Sequence, residues 1–150
     1  MTVQNDRYRV VLDTNWVVAA GTRWLEHGMP NPDLNLSRRI LVQVAEVHTG
    51  LYCGQIIGEY LEKLVDRRHP QERILRMITY LMGAFHRVEI TSQAAPVQPP
   101  DPDDEIFLLC ALDGDADYLV SEDRDLTNLR LQYTRPIIGR GFDLAVALGA

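Results

Sequence analysis

Short apolar runs alternate along the chain with longer segments whose apolar residues recur every three or four positions. The first run, residues 10–12, predicts a buried strand, and residues 15–20 continue into a first helix. Gly28, Pro30, Asn31, Pro32 and Asp33 break the pattern, so residues 21–36 read as a loop. Ser37 is expected to cap a second helix reaching about residue 47, ended by Gly50. Residues 51–55 predict a weak second strand. Ile57, Tyr60, Leu61 and Leu64 share one face of a helix over 56–66, with Glu59 near its start. Pro70 opens a further helix carrying Ile74, Leu75, Ile78, Leu81 and Met82. A third strand is expected over 86–90, followed by a Pro-rich loop over 91–102. Asp103 or Asp104 then begins a helix through residue 112. Strands at 116–120 and 136–139 and a terminal helix over 142–148 complete the pattern. Strands that alternate with helices imply a parallel sheet with helical layers.

Composition narrows this picture. A chain of 150 residues, 46% hydrophobic, argues for one domain with a real core. No stretch approaches the ~20 apolar residues of a membrane span. The polar, charged start at residues 2–9 does not read as a secretory signal, so a cytoplasmic protein is expected. Cys53 and Cys110 sit in apolar segments without a metal-binding spacing and read as buried free thiols. The net charge of −6 argues against a large basic nucleic-acid surface. Lys63 is the sole Lys beside fourteen Arg, a bias that genome composition explains as well as phosphate binding does.

The candidate chemistry lies in acids placed at element ends. Asp13 closes the run Val-Val-Leu-Asp-Thr-Asn, and Asp123 follows Tyr-Leu-Val-Ser-Glu. A strand ending in a carboxylate presents acid at the C-terminal edge of a parallel sheet, where ligands of such folds bind. Taken singly, each acid has a plain explanation: Asp13 a turn, Glu59 a solvated helix face, Asp104 a helix start, Asp123 a turn with Asp125. Taken together they need a compensating cation, because carboxylates crowded into one site repel. Hard divalent cations take such oxygen ligands.

The order Val-Leu-Asp-Thr-Asn, Glu-Tyr-Leu-Glu, Asp-Pro-Asp-Asp-Glu-Ile-Phe-Leu-Leu-Cys-Ala and Asp-Tyr-Leu-Val-Ser-Glu-Asp-Arg-Asp-Leu resembles the PIN domain. More narrowly it is similar to PIN-family toxins of prokaryotic toxin–antitoxin modules. The likeness runs from about residue 9 to 148. It implies a three-layer α/β/α fold with a short central parallel sheet. It also implies an endoribonuclease that cuts single-stranded RNA with Mg²⁺ or Mn²⁺, an antitoxin protein as partner, and a homodimer. Asp13, Glu59, Asp104 and Asp123 become the implied catalytic and metal-binding acids, with Asp125 as a fifth ligand. Thr14 and Asn15 match the pair that orders the site, and Arg124 is the implied phosphate contact. Two departures stand out: Trp16 replaces a small aliphatic residue, and the loop over 21–36 is long. A catalytically degenerate PIN fold, serving as an RNA-binding or assembly module, is the alternative. A phosphoacceptor domain is disfavoured because Lys63 sits mid-helix. A haloacid-dehalogenase-type phosphatase is disfavoured because Asn15 stands where its second Asp belongs.

Overall fold

The computed structural model describes residues 7–24 and 35–150. In chain order the elements are β1 (Arg9–Leu12), α1 (Thr14–Trp24), α2 (Leu36–Glu46), β2 (Thr49–Tyr52), α3 (Gly54–Asp66) and α4 (Gln71–Ala84). Then follow β3 (His86–Arg87), a 3-10 turn (Pro102–Asp104), α5 (Glu105–Asp113), β4 (Tyr118–Val120), α6 (Arg124–Thr127), β5 (Ile137–Gly139) and α7 (Gly141–Leu148). The strands form one sheet in the order β3-β2-β1-β4-β5, and every pairing is parallel.

β1 lies at the centre because it is apolar on both faces. Val10, Val11 and Leu12 have no solvent exposure, as a strand covered by helices on both sides requires. The connections to β2 and β3 step one way from β1, while those to β4 and β5 return to the other side. Right-handed crossovers therefore place their helices on opposite faces. α1 packs with α2 and α3, α2 with α7, and α5 lies on β1, β2 and β4. α5 is buried along six consecutive residues, Ile106 to Ala111, so it shows no amphipathic stripe.

Several expected boundaries shift for local reasons. α1 extends through Gly21 to Trp24, which removes residues 21–24 from the expected loop; residues 25–34 lie outside the described residues. Asn35, not Ser37, caps α2: its side-chain oxygen accepts from the Arg38 N–H at 3.0 Å and from the Ser37 hydroxyl. Gly50 does not end that helix but sits inside β2. A Cβ there would lie 2.5 Å from the Phe85 ring, so the residue answers to tertiary packing rather than to a local stop. The second strand is Thr49–Tyr52, because Gly54 and Gln55 already belong to α3. The third strand is only His86–Arg87 and the fourth begins at Tyr118. Pro102–Asp104 forms a 3-10 turn, so α5 proper starts at Glu105.

Candidate functional site

The connections reverse direction between β1 and β4, which opens a crevice beyond the carboxyl ends of these neighbouring strands. Asp13 follows β1, and Ser121–Asp123 follows β4. The Asp13 N–H donates to the Val120 carbonyl at 2.9 Å, which extends the β1–β4 ladder to the site's floor. Asp13 itself is buried, with 5% exposure. One carboxylate oxygen accepts from the Thr14 N–H at 2.7 Å, and the other from the Ser121 hydroxyl at 2.6 Å. Ser121, wholly buried, also accepts from the Asp123 N–H at 3.0 Å. A single hydroxyl thus fixes both the first acid and the turn bearing the last. Burial raises the Asp13 carboxyl above the ordinary range, with the bonds from Ser121 and Thr14 opposing it.

Asp104 comes in from the turn before α5. One of its oxygens is buried without any hydrogen-bond partner. Burial first, then the neighbouring Asp123, pushes this carboxyl up to about 7. An oxygen from each of Asp101, Asp104 and Asp125 lies within 4.8 Å of the others. Such an all-oxygen donor set, holding an orphaned buried oxygen, fits a hard divalent cation. Asp101 also accepts from the Asp103 N–H at 3.0 Å, which shapes the 3-10 turn. Asp123 accepts from the Asp125 N–H at 2.9 Å and so caps α6.

Asp101 and Asp104 line one cleft of about 330 Å³, and Asp125 stands beside it. Asp13, Asp104, Asp123 and Glu59 all face it, together with Thr14 and Asn15. Glu59 reaches it from α3, and its carboxyl is raised by burial and by Glu62 and Asp103. Glu62 and Lys63 line the same cleft, as residues three and four apart on one helix face can. Tyr60 braces the site from beneath: its wholly buried hydroxyl donates to the Leu12 carbonyl at 2.6 Å.

Sequence reasoning missed Asp101, Asp103 and Ser121. Asp101 sits in the segment read as a Pro-rich loop and Asp103 was read as a helix start, though Asp101-Pro102-Asp103 is itself a turn signal. Ser121 carried one clue, a hydroxyl at the end of an apolar run. Arg124 does not line the acidic cleft; it lines the adjoining one with Arg130 and Arg140. Trp16 packs its indole on Gly141 at the start of α7, where a Cβ would overlap the ring. Gly141 in turn donates its N–H to Glu122 at 2.9 Å, which ties α7 to the loop holding Asp123. Cys53 and Cys110 are buried and free, as their apolar surroundings suggested.

Among the described residues, no helix is long and apolar enough to cross a membrane. No curated protein and no solved structure matches the chain. Residues 9–125, which carry every acid of the cleft, match the family model described as PIN domain. PIN domains are generally nucleases, and by this match the chain belongs to the PIN domain family.

Proposed function

We propose that the protein is an endoribonuclease that cuts single-stranded RNA with Mg²⁺ or Mn²⁺, and that it serves as the toxin of a toxin–antitoxin module. The observation that carries the nuclease reading is the donor set of Asp101, Asp104 and Asp125, in which Asp104 also carries an unpartnered buried oxygen. Asp101, Asp104 and Asp125 would hold the ion, with Asp13 and Asp123 completing the acidic wall. A divalent cation there supplies a bound water of lowered pKa and positive charge beside the phosphate. Ser121 and Thr14 hold the Asp13 carboxylate in one orientation, since both of its oxygens already accept a bond. Glu59, whose carboxyl is raised by burial and by its acidic neighbours, lines the cleft where it can orient the attacking water. Support for the toxin role and the antitoxin partner comes from the likeness of the sequence motifs alone.

The test joins binding to cleavage. Mn²⁺ should raise the melting temperature at fixed ionic strength, by mass action on the folded state. The same ion should switch on cleavage of single-stranded RNA, and both responses should vanish in Asp104→Asn. A protein that binds RNA yet neither melts higher with Mn²⁺ nor cuts would be a degenerate PIN module instead.

A further inference from the structure

An acidic cleft is a poor host for a polyanion. Seven carboxylates and Lys63 line it, so even two divalent ions leave it negative. RNA carries a charge at every phosphate, and backbone contacts supply much of the affinity of such complexes. Positive charge for the strand must therefore come from beside the cleft.

It lies one strand over. A second cleft of about 760 Å³ opens beyond the ends of β4 and β5, lined by Arg124, Arg130 and Arg140 with Thr127 and Asn128. Its three Arg outnumber its two acids, which are held in place: Glu122 accepts the Gly141 N–H at 2.9 Å, and Asp143 takes Arg140 through Nε at 3.2 Å. Both Nη groups of Arg140 remain without a partner among the described residues. Among the described residues the Arg130 guanidinium makes only a long contact, 3.5 Å, to the Thr127 carbonyl. Arg124 stands next to Asp123, so acid and cation are adjacent residues facing adjacent clefts. β1, β4 and β5 are neighbours, and strands lie ~4.8 Å apart. The two clefts therefore open at the same sheet edge one strand step apart, close enough for one strand of RNA to occupy both.

We propose that Arg124, Arg130 and Arg140 form a subsite for the backbone phosphates next to the scissile bond. This rests on the nuclease reading above. Guanidinium forks grip phosphate oxygens without reading bases, so the subsite selects for chain length and single-stranded reach rather than for sequence.

The experiment measures KM and its salt dependence on a single-stranded oligoribonucleotide of about twelve residues, within the range one such binding surface spans. The triple variant Arg124→Gln, Arg130→Gln, Arg140→Gln should raise KM about tenfold or more. It should also flatten the slope of log affinity against log salt by about 2, at about 0.7 for each lost phosphate contact. A second triple variant, Arg67→Gln, Arg68→Gln, Arg76→Gln, removes the same charge from exposed residues that line neither cleft. It should keep the parent's KM and slope. Equal changes in both variants, or none in the first, overturn the subsite while leaving the nuclease reading intact. A parent protein that cuts no RNA overturns both together.

Discussion

The two ends of α5 carry acids treated in opposite ways. Asp104 precedes the helix, where the positive end of the helix dipole favours a carboxylate, yet its carboxyl is pushed up to about 7. Asp113 is the helix's last residue, where the dipole disfavours a negative charge, yet its carboxyl is held below the ordinary range. Local partners decide both cases. Burial would raise Asp113, but the Thr91 and Ser92 N–H groups donate to one oxygen at 2.8 and 2.9 Å, and the Ser92 hydroxyl to the other at 2.5 Å. Asp104 has an oxygen with no donor at all and other carboxylates as neighbours. The first acid is completed by its own chain, and the second is left for a ligand to complete.

The sharpest way to break this contrast is substitution. Asp104→Asn and Asp13→Asn should each cost on the order of a hundredfold or more in RNA cleavage, the scale of losing a positioned catalytic group. Their folds should survive, and apo Asp104→Asn should melt no lower than the parent at pH 8, since a repulsion is relieved. Full activity in either variant would remove that acid from the site. Asp113→Ala should do the reverse. With three hydrogen bonds lost, stability should fall by about 2 kcal/mol in urea titration, while the folded fraction keeps its turnover. A loss of turnover without a loss of stability would erase the distinction between the helix ends.

Ser121→Ala tests the link between the two strands. Removing a buried hydroxyl that both donates and accepts should cost about 1–2 kcal/mol and lower kcat more than it raises KM. A kcat equal to the parent's would show that Asp13 holds its position unaided. Glu59→Gln against Glu62→Gln is a finer probe, because both line the cleft. The loss of activity should be larger for Glu59, and the opposite ranking would exchange their roles.

The smallest effect is in pH. A carboxyl raised to about 7 when folded makes apo stability fullest below its ordinary value near 3.8. That stability is lost as pH rises through about 7, because the folded state holds the proton longer than the unfolded chain does. Melting of the metal-free protein should therefore decline across this window, and less so in Asp104→Asn. Equal slopes in the two proteins would mean that Asp104 ionises like an exposed acid.

How much of this was legible in the sequence follows from how local each signal is. Asp13 and Asp123 could be read because an apolar run ending in a carboxylate states its own position on the sheet. Asp104 was legible from its motif, and Asp101 was not, because three prolines nearby, Pro99, Pro100 and Pro102, mark the segment as a loop. Gly50 misled for the converse reason: glycine is a stop signal by itself, and only Phe85, 35 positions away, explains it inside a strand. Ser121 became informative only once β1 and β4 were neighbours, a fact of register that no single segment carries.

The edge strand β5 contributes none of the cleft's acids, yet Gly139 accepts the Ser121 N–H at 3.0 Å and Gly141 donates to Glu122. The turn that bears Asp123 is thus held from a segment made more than a dozen residues after it. A ribosome delivers the chain from its N-terminus, with early segments free to fold first. Every acid of the cleft is synthesised before the strand that steadies the last of them. Assembly of the cleft therefore waits for residues 137–141, and a nascent chain that stops short of them carries the complete acid set without its finished support.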